Sequence, residues 1–179
     1  MAGRCGGEYP GRSLQRAVVT AESIAQALSA SVSQDQRLNE WNLGVIEGMS
    51  KDEAAKQHAM DWNIFSHWCA PTVNEELSHK RIAGGESMED VRKRAVLCLE
   101  EACTSLASED VVIAVTHGGV LGQLLRHSQN GATMVSKPGN ACISRFAVDP
   151  GHNWEVLDWA SVDHLVGEDL APAAADYGR

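Results

Sequence analysis

Apolar and polar positions alternate along this chain in two distinct rhythms, and these rhythms mark out most of its elements. From Leu14 the residues Leu14, Val18, Ala21, Ala25 and Leu28 recur at steps of four and three, which predicts a helix with one apolar face running to about Ser31, with Ser13 as its cap. Ser50 and Glu53 have the spacing of a capping box, so a second helix is expected from Lys51 past Met60. Trp62, Phe65 and Trp68 follow at steps of three, and Pro71 closes that segment. Ser87 opens a long helix whose buried stripe is Val91, Ala95, Cys98, Ala102 and Leu106. Its charges at Arg92, Lys93, Arg94, Glu100 and Glu101 read as a solvated face.

The other rhythm is a continuous apolar run. Val111 to Val115 is rich in β-branched residues and predicts a strand buried on both faces, ending at Thr116-His117-Gly118-Gly119. Val120, Leu121, Leu124 and Leu125 then carry a helix to about His127. Residues 141–148 and 154–159 read as two more strands joined by the turn Asp149-Pro150-Gly151-His152-Asn153. Buried strand alternating with amphipathic helix indicates an α/β, three-layer fold, a mainly parallel sheet with helices on both faces and the 111–116 strand near its middle. The domain is expected to span 14–167, between a loose Gly- and Arg-rich arm at 1–13 and a frayed tail at 168–179.

Composition narrows the function. At 179 residues, 44% hydrophobic and 22% charged, the chain is of single-domain size and globular in composition. No apolar run reaches the ~20 residues that span a bilayer, and the amino terminus lacks the apolar stretch of a signal peptide, so a cytoplasmic protein is expected. The net charge of −9 opposes nucleic acid and anionic membranes as partners. Five scattered cysteines suit a reducing compartment. His67 and Cys69 come nearest to a metal pair, but there is no second pair, and neither metal nor cofactor is expected.

Candidate chemistry centres on His117. A histidine at the carboxyl end of a central strand, followed by glycines and a helix amino terminus, lies where α/β proteins bind anions. The spacing of Gly118, Gly119 and Gly122 does not match a dinucleotide fingerprint. Arg16 sits in the first turn of its helix, unfavourable for a cation beside the positive end of the helix dipole; it is either a solvated arginine or an anion ligand. The stretch Leu38-Asn39-Glu40-Trp41-Asn42-Leu43-Gly44-Val45-Ile46-Glu47-Gly48 has no period and reads as a loop holding something.

Taken in order, these pieces resemble the histidine phosphatase superfamily, the phosphoglycerate mutase-like proteins. Leu14-Gln15-Arg16-Ala17-Val18-Val19-Thr20-Ala21 is similar to the family's L-x-R-A-x-x-T-A helix start, and Leu38 to Gly48 to its L-x-E…G…E-G loop. Gly85-Glu86-Ser87 matches its G-E-S cap, and Val115 to Gly119 its second-histidine strand end. Asn140 with Ile143, and Asp163-His164-Leu165, resemble its carboxyl-terminal elements. The resemblance implies phosphoryl transfer through a phosphohistidine on a small phosphorylated metabolite, with Arg16 and His117 binding phosphate, Gly118 adding a helix-start amide, and Glu40 protonating the leaving oxygen.

The family's nucleophilic histidine lies in an R-H-G motif on a first strand well before the L-x-R-A helix, and no R-H-G occurs in these 179 residues. Arg126-His127 is set within a helix, with serine where glycine should follow, and is not expected to substitute. The expectation is a histidine phosphatase with its first strand missing, through a truncated reading of the gene, alternative splicing or decay, and inactive as written. The alternative is a non-catalytic phosphate-binding or regulatory remnant. In either case the tips of Arg16 and His117 should lie within about 8 Å, close enough to share one phosphate. Glu40 should approach from the loop side, Glu47 should be structural, and Trp62, Phe65 and Trp68 should form a wall or lid.

Overall fold

Helix and hairpin formation follow the sequence signals closely, while the predicted sheet does not. A computed structural model describes residues 13–68, 74–104, 106–107, 110–128 and 137–165. Six helices precede a hairpin in it: α1 (Ser13–Leu28), α2 (Lys51–Gln57), α3 (Ala59–Ser66), α4 (Glu75–Ser78), α5 (Met88–Thr104) and α6 (Gly118–Ser128), then β1 (Ile143–Val148) and β2 (Trp154–Ser161). Two short 3-10 turns, Gln36–Leu38 and Gly44–Ile46, shape the loop between α1 and α2. The expected arm at 1–12, Pro71, and the tail beyond 165 lie outside the described residues.

The predicted caps form. Ser50 accepts from the Glu53 amide while the Glu53 carboxylate accepts from the Ser50 amide, so two otherwise orphaned donors at the start of α2 are satisfied together. Ser87 does the same with Asp90 at the start of α5. The second helix does not run on past Met60 as one piece; it breaks at His58, whose backbone leaves helical geometry, and α3 starts anew. Ser13 is the first residue of α1 rather than a cap outside it.

The core lies between α5 and α6. Met88, Val91 and Ala95 of α5 meet Val120, Leu124 and Leu125 of α6, all buried, and Trp41, Ile46, Ile64, Trp68 and Ile82 extend this cluster. Fully burying each large aliphatic side chain stabilises by about 1.5–3 kcal/mol, so this helix pair dominates the fold's hydrophobic stabilisation. The stripe on α5 is shorter than its pattern predicts, because the helix ends at Thr104 and Leu106 is beyond it and exposed. β1 and β2 pair antiparallel around the Asp149 turn, and Phe146, Trp154, Val156 and Trp159 pack against the core.

Two expectations need correction. Among the described residues the sheet is this two-stranded antiparallel hairpin, and residues 110–117 join no ladder, so the mainly parallel sheet centred on 111–116 is not observed. Val111 and Ile113, read as doubly buried, are 83% and 55% exposed, since a β-branched run forms a strand only where a neighbour takes up its amides and carbonyls. Nor is the face of α1 buried as its period suggests: Val18, Ala21 and Ala25 are half-buried, and Leu28 is exposed.

What brings the site segments together is a backbone junction between the 38–48 loop and the 82–87 turn. Val45 N–H donates to the Ala83 carbonyl at 2.9 Å and Glu86 N–H to that of Asn42 at 3.0 Å. The approach requires glycine on both sides: a Cβ on Gly85 would clash with the Asn42 carbonyl and lie 2.9 Å from the Gly44 nitrogen, and one on Gly44, at φ +51, would clash with the Ala83 carbonyl. Gly48 also has positive φ, at +74, but open space around it. Gly44→Ala is therefore expected to cost about 3 kcal/mol or more, combining left-handed strain with a backbone clash, and Gly48→Ala only about 1 kcal/mol. Urea unfolding of the two variants checks the difference; equal losses would show that the junction contributes no more than the dihedral angle.

Candidate phosphate site

His117 is delivered by the extended residues before α6 and is 6% exposed. Thr116 fixes the delivery by donating its hydroxyl to the Leu38 carbonyl at 2.7 Å, and His117's own carbonyl accepts from the Leu121 amide as α6 begins. Gly118 is the first residue of α6, so its amide is among those with no partner inside the helix. From the opposite end of the chain, a terminal nitrogen of Arg16 lies 3.1 Å from His117 Nδ1. The two residues that sequence reading paired across a phosphate are thus in direct contact, well inside the expected reach.

That contact fixes the imidazole chemistry. A guanidinium can only donate, so Nδ1 must be the acceptor and the ring proton is on Nε2. Burial, joined by the positive charges of Arg16 and Arg94, lowers the pKa of His117 to about 4. At neutral pH the ring is uncharged and presents an Nε2–H donor. Cation and neutral donor together are suited to binding an oxyanion.

Glu40 completes the cluster from the loop side, as expected. Its Oε1 accepts the Trp41 amide at 2.9 Å, and the Gly119 amide also donates to the carboxylate. Gly119 has to be glycine for this, since a Cβ there would run into Glu40 Oε1. Oε2 is buried with no hydrogen-bond partner. Burial pushes the Glu40 pKa up; the hydrogen bond from Trp41, the charge of Arg16, the Gly119 amide and Arg94 only partly oppose it. A carboxyl group that keeps its proton longer than usual, next to a cationic pocket, is suited to general-acid work.

Around Glu40 the wall is aromatic. Trp41, Leu43, Phe65 and Trp68 surround a small recess of about 30 Å³ beside Glu40 and Gly119, and Trp62 leans on Phe65 with ring centroids 5.6 Å apart. Glu47 accepts the Leu43 amide at 3.2 Å, the structural role expected of it.

Sequence reading missed Arg94, which it placed on a solvated face. Its side chain is only 18% exposed and is turned inward. Nε donates to Glu86 Oε1 at 2.7 Å, and the terminal nitrogens donate to the carbonyls of Arg37, Asn39 and Glu40 and to Glu86 Oε2. No periodicity signals this, because position 94 differs from its charged neighbours only in the loop it happens to face. Among the described residues no group of three or more His, Cys, Asp or Glu side chains is placed to hold a metal ion.

A sequence model of the histidine phosphatase superfamily (branch 1) matches residues 13–162. The chain is 29% identical over 153 residues to phosphoglycerate mutase-like protein 4 of Arabidopsis thaliana, which covers 85% of this chain and 63% of that protein. It is 34% identical over 122 residues to the probable phosphoglycerate mutase GpmB of Erwinia tasmaniensis, covering 68% of this chain and 50% of that one. The chain therefore spans half to two thirds of the length of these relatives. Among solved structures it superposes on a mycobacterial glucosyl-3-phosphoglycerate phosphatase with a TM-score of 0.68 at 21% identity, covering 83% of this chain and 74% of the other. A second mycobacterial hydrolase gives 0.65 at 22%, covering 82% and 72%.

The two perturbed groups oppose each other in pH dependence. The unfolded imidazole takes up a proton near 6.5 and the folded one only near 4, so stability owed to neutral His117 is complete above about 6.5 and drains away as pH falls toward 4. Glu40, with its folded pKa raised above 4.5, contributes stability at low pH that is lost as pH rises through the raised value. His117→Gln is expected to remove up to about 3 kcal/mol of the loss seen between pH 7 and pH 4. Urea midpoints measured across that range test it; an unchanged slope in the variant would mean that His117 is not held neutral.

Proposed function

The chain belongs to the histidine phosphatase superfamily, and on that premise we propose that Arg16, His117 and the Gly118 amide at the start of α6 hold the phosphoryl group of a small phosphomonoester, with Glu40 as proton donor to the leaving oxygen. The observation that carries this reading is the contact of Arg16 with His117 Nδ1, which leaves a guanidinium and an Nε2–H to share one oxyanion beside a helix amino terminus. Of the two ionisable groups, burial holds the histidine neutral and shifts the carboxyl toward its protonated form, the directions this division of labour requires.

In the superfamily chemistry, the ester P–O bond breaks as a P–N bond forms to a nucleophilic histidine, the leaving oxygen takes a proton from the acid, and water then releases phosphate. The nucleophile belongs to an R-H-G sequence that these 179 residues do not contain. His117, whose Nδ1 accepts from Arg16, is assigned to stabilising charge on the transferring group, which does not replace covalent attack. We therefore assign this chain phosphate binding without appreciable turnover, which leaves open either the phosphate-holding part of a phosphatase or mutase or a binding remnant of that family. A small phosphorylated metabolite is the proposed partner.

Titration with inorganic phosphate, followed through the His117 imidazole ¹⁵N signals, should show saturable binding and a rise of the His117 pKa, because a bound anion favours the protonated ring. Arg16→Ala should weaken this binding by about tenfold or more, since a charge-assisted hydrogen bond contributes about 1.5–3 kcal/mol. p-Nitrophenyl phosphate should be hydrolysed at no more than background. No phosphate-dependent shift at millimolar concentration would overturn the site assignment, and hydrolysis abolished by His117→Ala would overturn the absence of turnover.

A further inference from the structure

The reading of Glu40 as proton donor leaves one question open: what keeps a carboxyl group on an irregular loop in place against the first turn of α6? We propose that Arg94, locked by Glu86, is the positioning residue of the site, fastening the 37–42 backbone to α5 so that the Glu40 carboxyl is pressed against Gly119 and away from water. The inference rests on the assignment of Glu40 as the acid, and it gives a role to Arg94, which lies outside the motifs that carry the resemblance.

The geometry is specific to arginine. A guanidinium has five N–H donors in a rigid plane, and Arg94 uses all five: two on the Glu86 carboxylate, at 2.7 and 3.0 Å, and three on loop carbonyls, those of Arg37 at 2.7 Å, Asn39 at 2.8 Å and Glu40 at 3.2 Å. Glu86 grips the same loop from the other side. Its Oε2 accepts the Asn42 amide at 3.0 Å, its carbonyl accepts the Trp41 indole N–H at 2.9 Å, and its amide donates to the Asn42 carbonyl. The residues flanking Glu40 are thus tied on both sides to one ion pair, and Thr116 adds the tie to Leu38.

The loop has other anchors in the buried Trp41 and the Arg37–Glu101 bridge, but its carbonyls at 37, 39 and 40 are taken up by Arg94. Residues 36–42 are a short 3-10 turn followed by irregular chain, and beside it lies a cavity of about 230 Å³ lined by Gln36, Arg37, Asn39, Glu40, Asn42, Glu86 and Arg94. A lysine at position 94 supplies one compact ammonium in place of the planar fork and cannot hold Glu86 and three carbonyls at once. Freed, the loop would move into that cavity, and the Glu40 carboxyl would gain water and lose its raised pKa.

The test is titration of the Glu40 side-chain carboxyl, read by ¹³C NMR on labelled protein of the full 179-residue chain without phosphate. In the native chain its midpoint should be above the ordinary glutamate value; in Arg94→Lys it should fall toward that value while circular dichroism shows the helices intact. Glu86→Gln should move it in the same direction by less. Arg92→Lys, one turn position away on α5 and paired with Glu89 rather than with the loop, should leave it unchanged. An unchanged Glu40 midpoint in a folded Arg94→Lys or Glu86→Gln variant would overturn the proposal. Should both variants fail to fold, amide exchange of the native chain decides: Trp41 and Asn42 should exchange as slowly as the middle of α5, and exchange at the rate of an open loop would overturn it. The titration requires no phosphate, so a chain that fails to bind phosphate but passes here loses the functional reading and keeps the clamp.

Discussion

Five hydrogen bonds from one half-buried guanidinium hold the irregular loop that carries Glu40. Arg94 and Glu86 tie α5, the most regular element, to the 37–42 loop, the least regular part of the core's surface. A half-buried ion pair of this kind is a weak source of net stability, because the desolvation of both charges offsets most of their attraction. What it supplies is definition: three carbonyls that could otherwise face water in many arrangements are directed at a single plane of donors. The glycine junction at Gly44 and Gly85 serves the same end sterically, by letting two backbones come close enough for the carboxylate of Glu86 to reach over.

Held in this frame, the ionisable groups are perturbed in complementary senses. Burial alone pushes a histidine toward its neutral form and a glutamate toward its protonated form, and both shifts occur here within one cluster. The cluster therefore holds one permanent cation, Arg16, one neutral donor and a carboxyl shifted toward its protonated form, which lessens the repulsion a phosphate entering it meets. This local arrangement matters because the chain as a whole carries a net charge of −9, which repels anions at a distance. Attraction comes from the immediate neighbours alone.

Much of the site was legible before any coordinates. Arg16 stood out because a cation in a helix's first turn has an electrostatic cost unless it has a task, and His117 because glycines follow a β-branched run. The capping boxes at Ser50 and Ser87 and the Asp149 turn were equally clear, since each is a local bargain between a side chain and nearby amides. What was not legible depends on neighbours distant in sequence. The period of residues 111–116 specifies only that they suit a strand, and pairing depends on what lies alongside. Arg94 shares its stretch of helix with Arg92 and Lys93, and nothing in that triplet shows which one turns inward. Nor does the sequence show what the glycine at 119 makes room for, which is the carboxyl of Glu40, 79 positions earlier.

The contact between Arg16 and His117 joins residues 101 positions apart, whereas the capping boxes, the α5–α6 pair and the hairpin depend on much shorter separations. Closing a loop of that length costs chain entropy that a single hydrogen bond cannot recover, so the contact forms only once the helices and hairpin already hold the intervening chain in place. The order reverses on opening. With no fully buried side chain among those described on α1, that helix can detach in a local fluctuation that leaves α5, α6 and the hairpin intact. The Arg16–His117 contact is then the last part of this molecule to assemble and the first to be lost, and any ligand that bridged the two residues would slow that fluctuation more than any other motion in the chain.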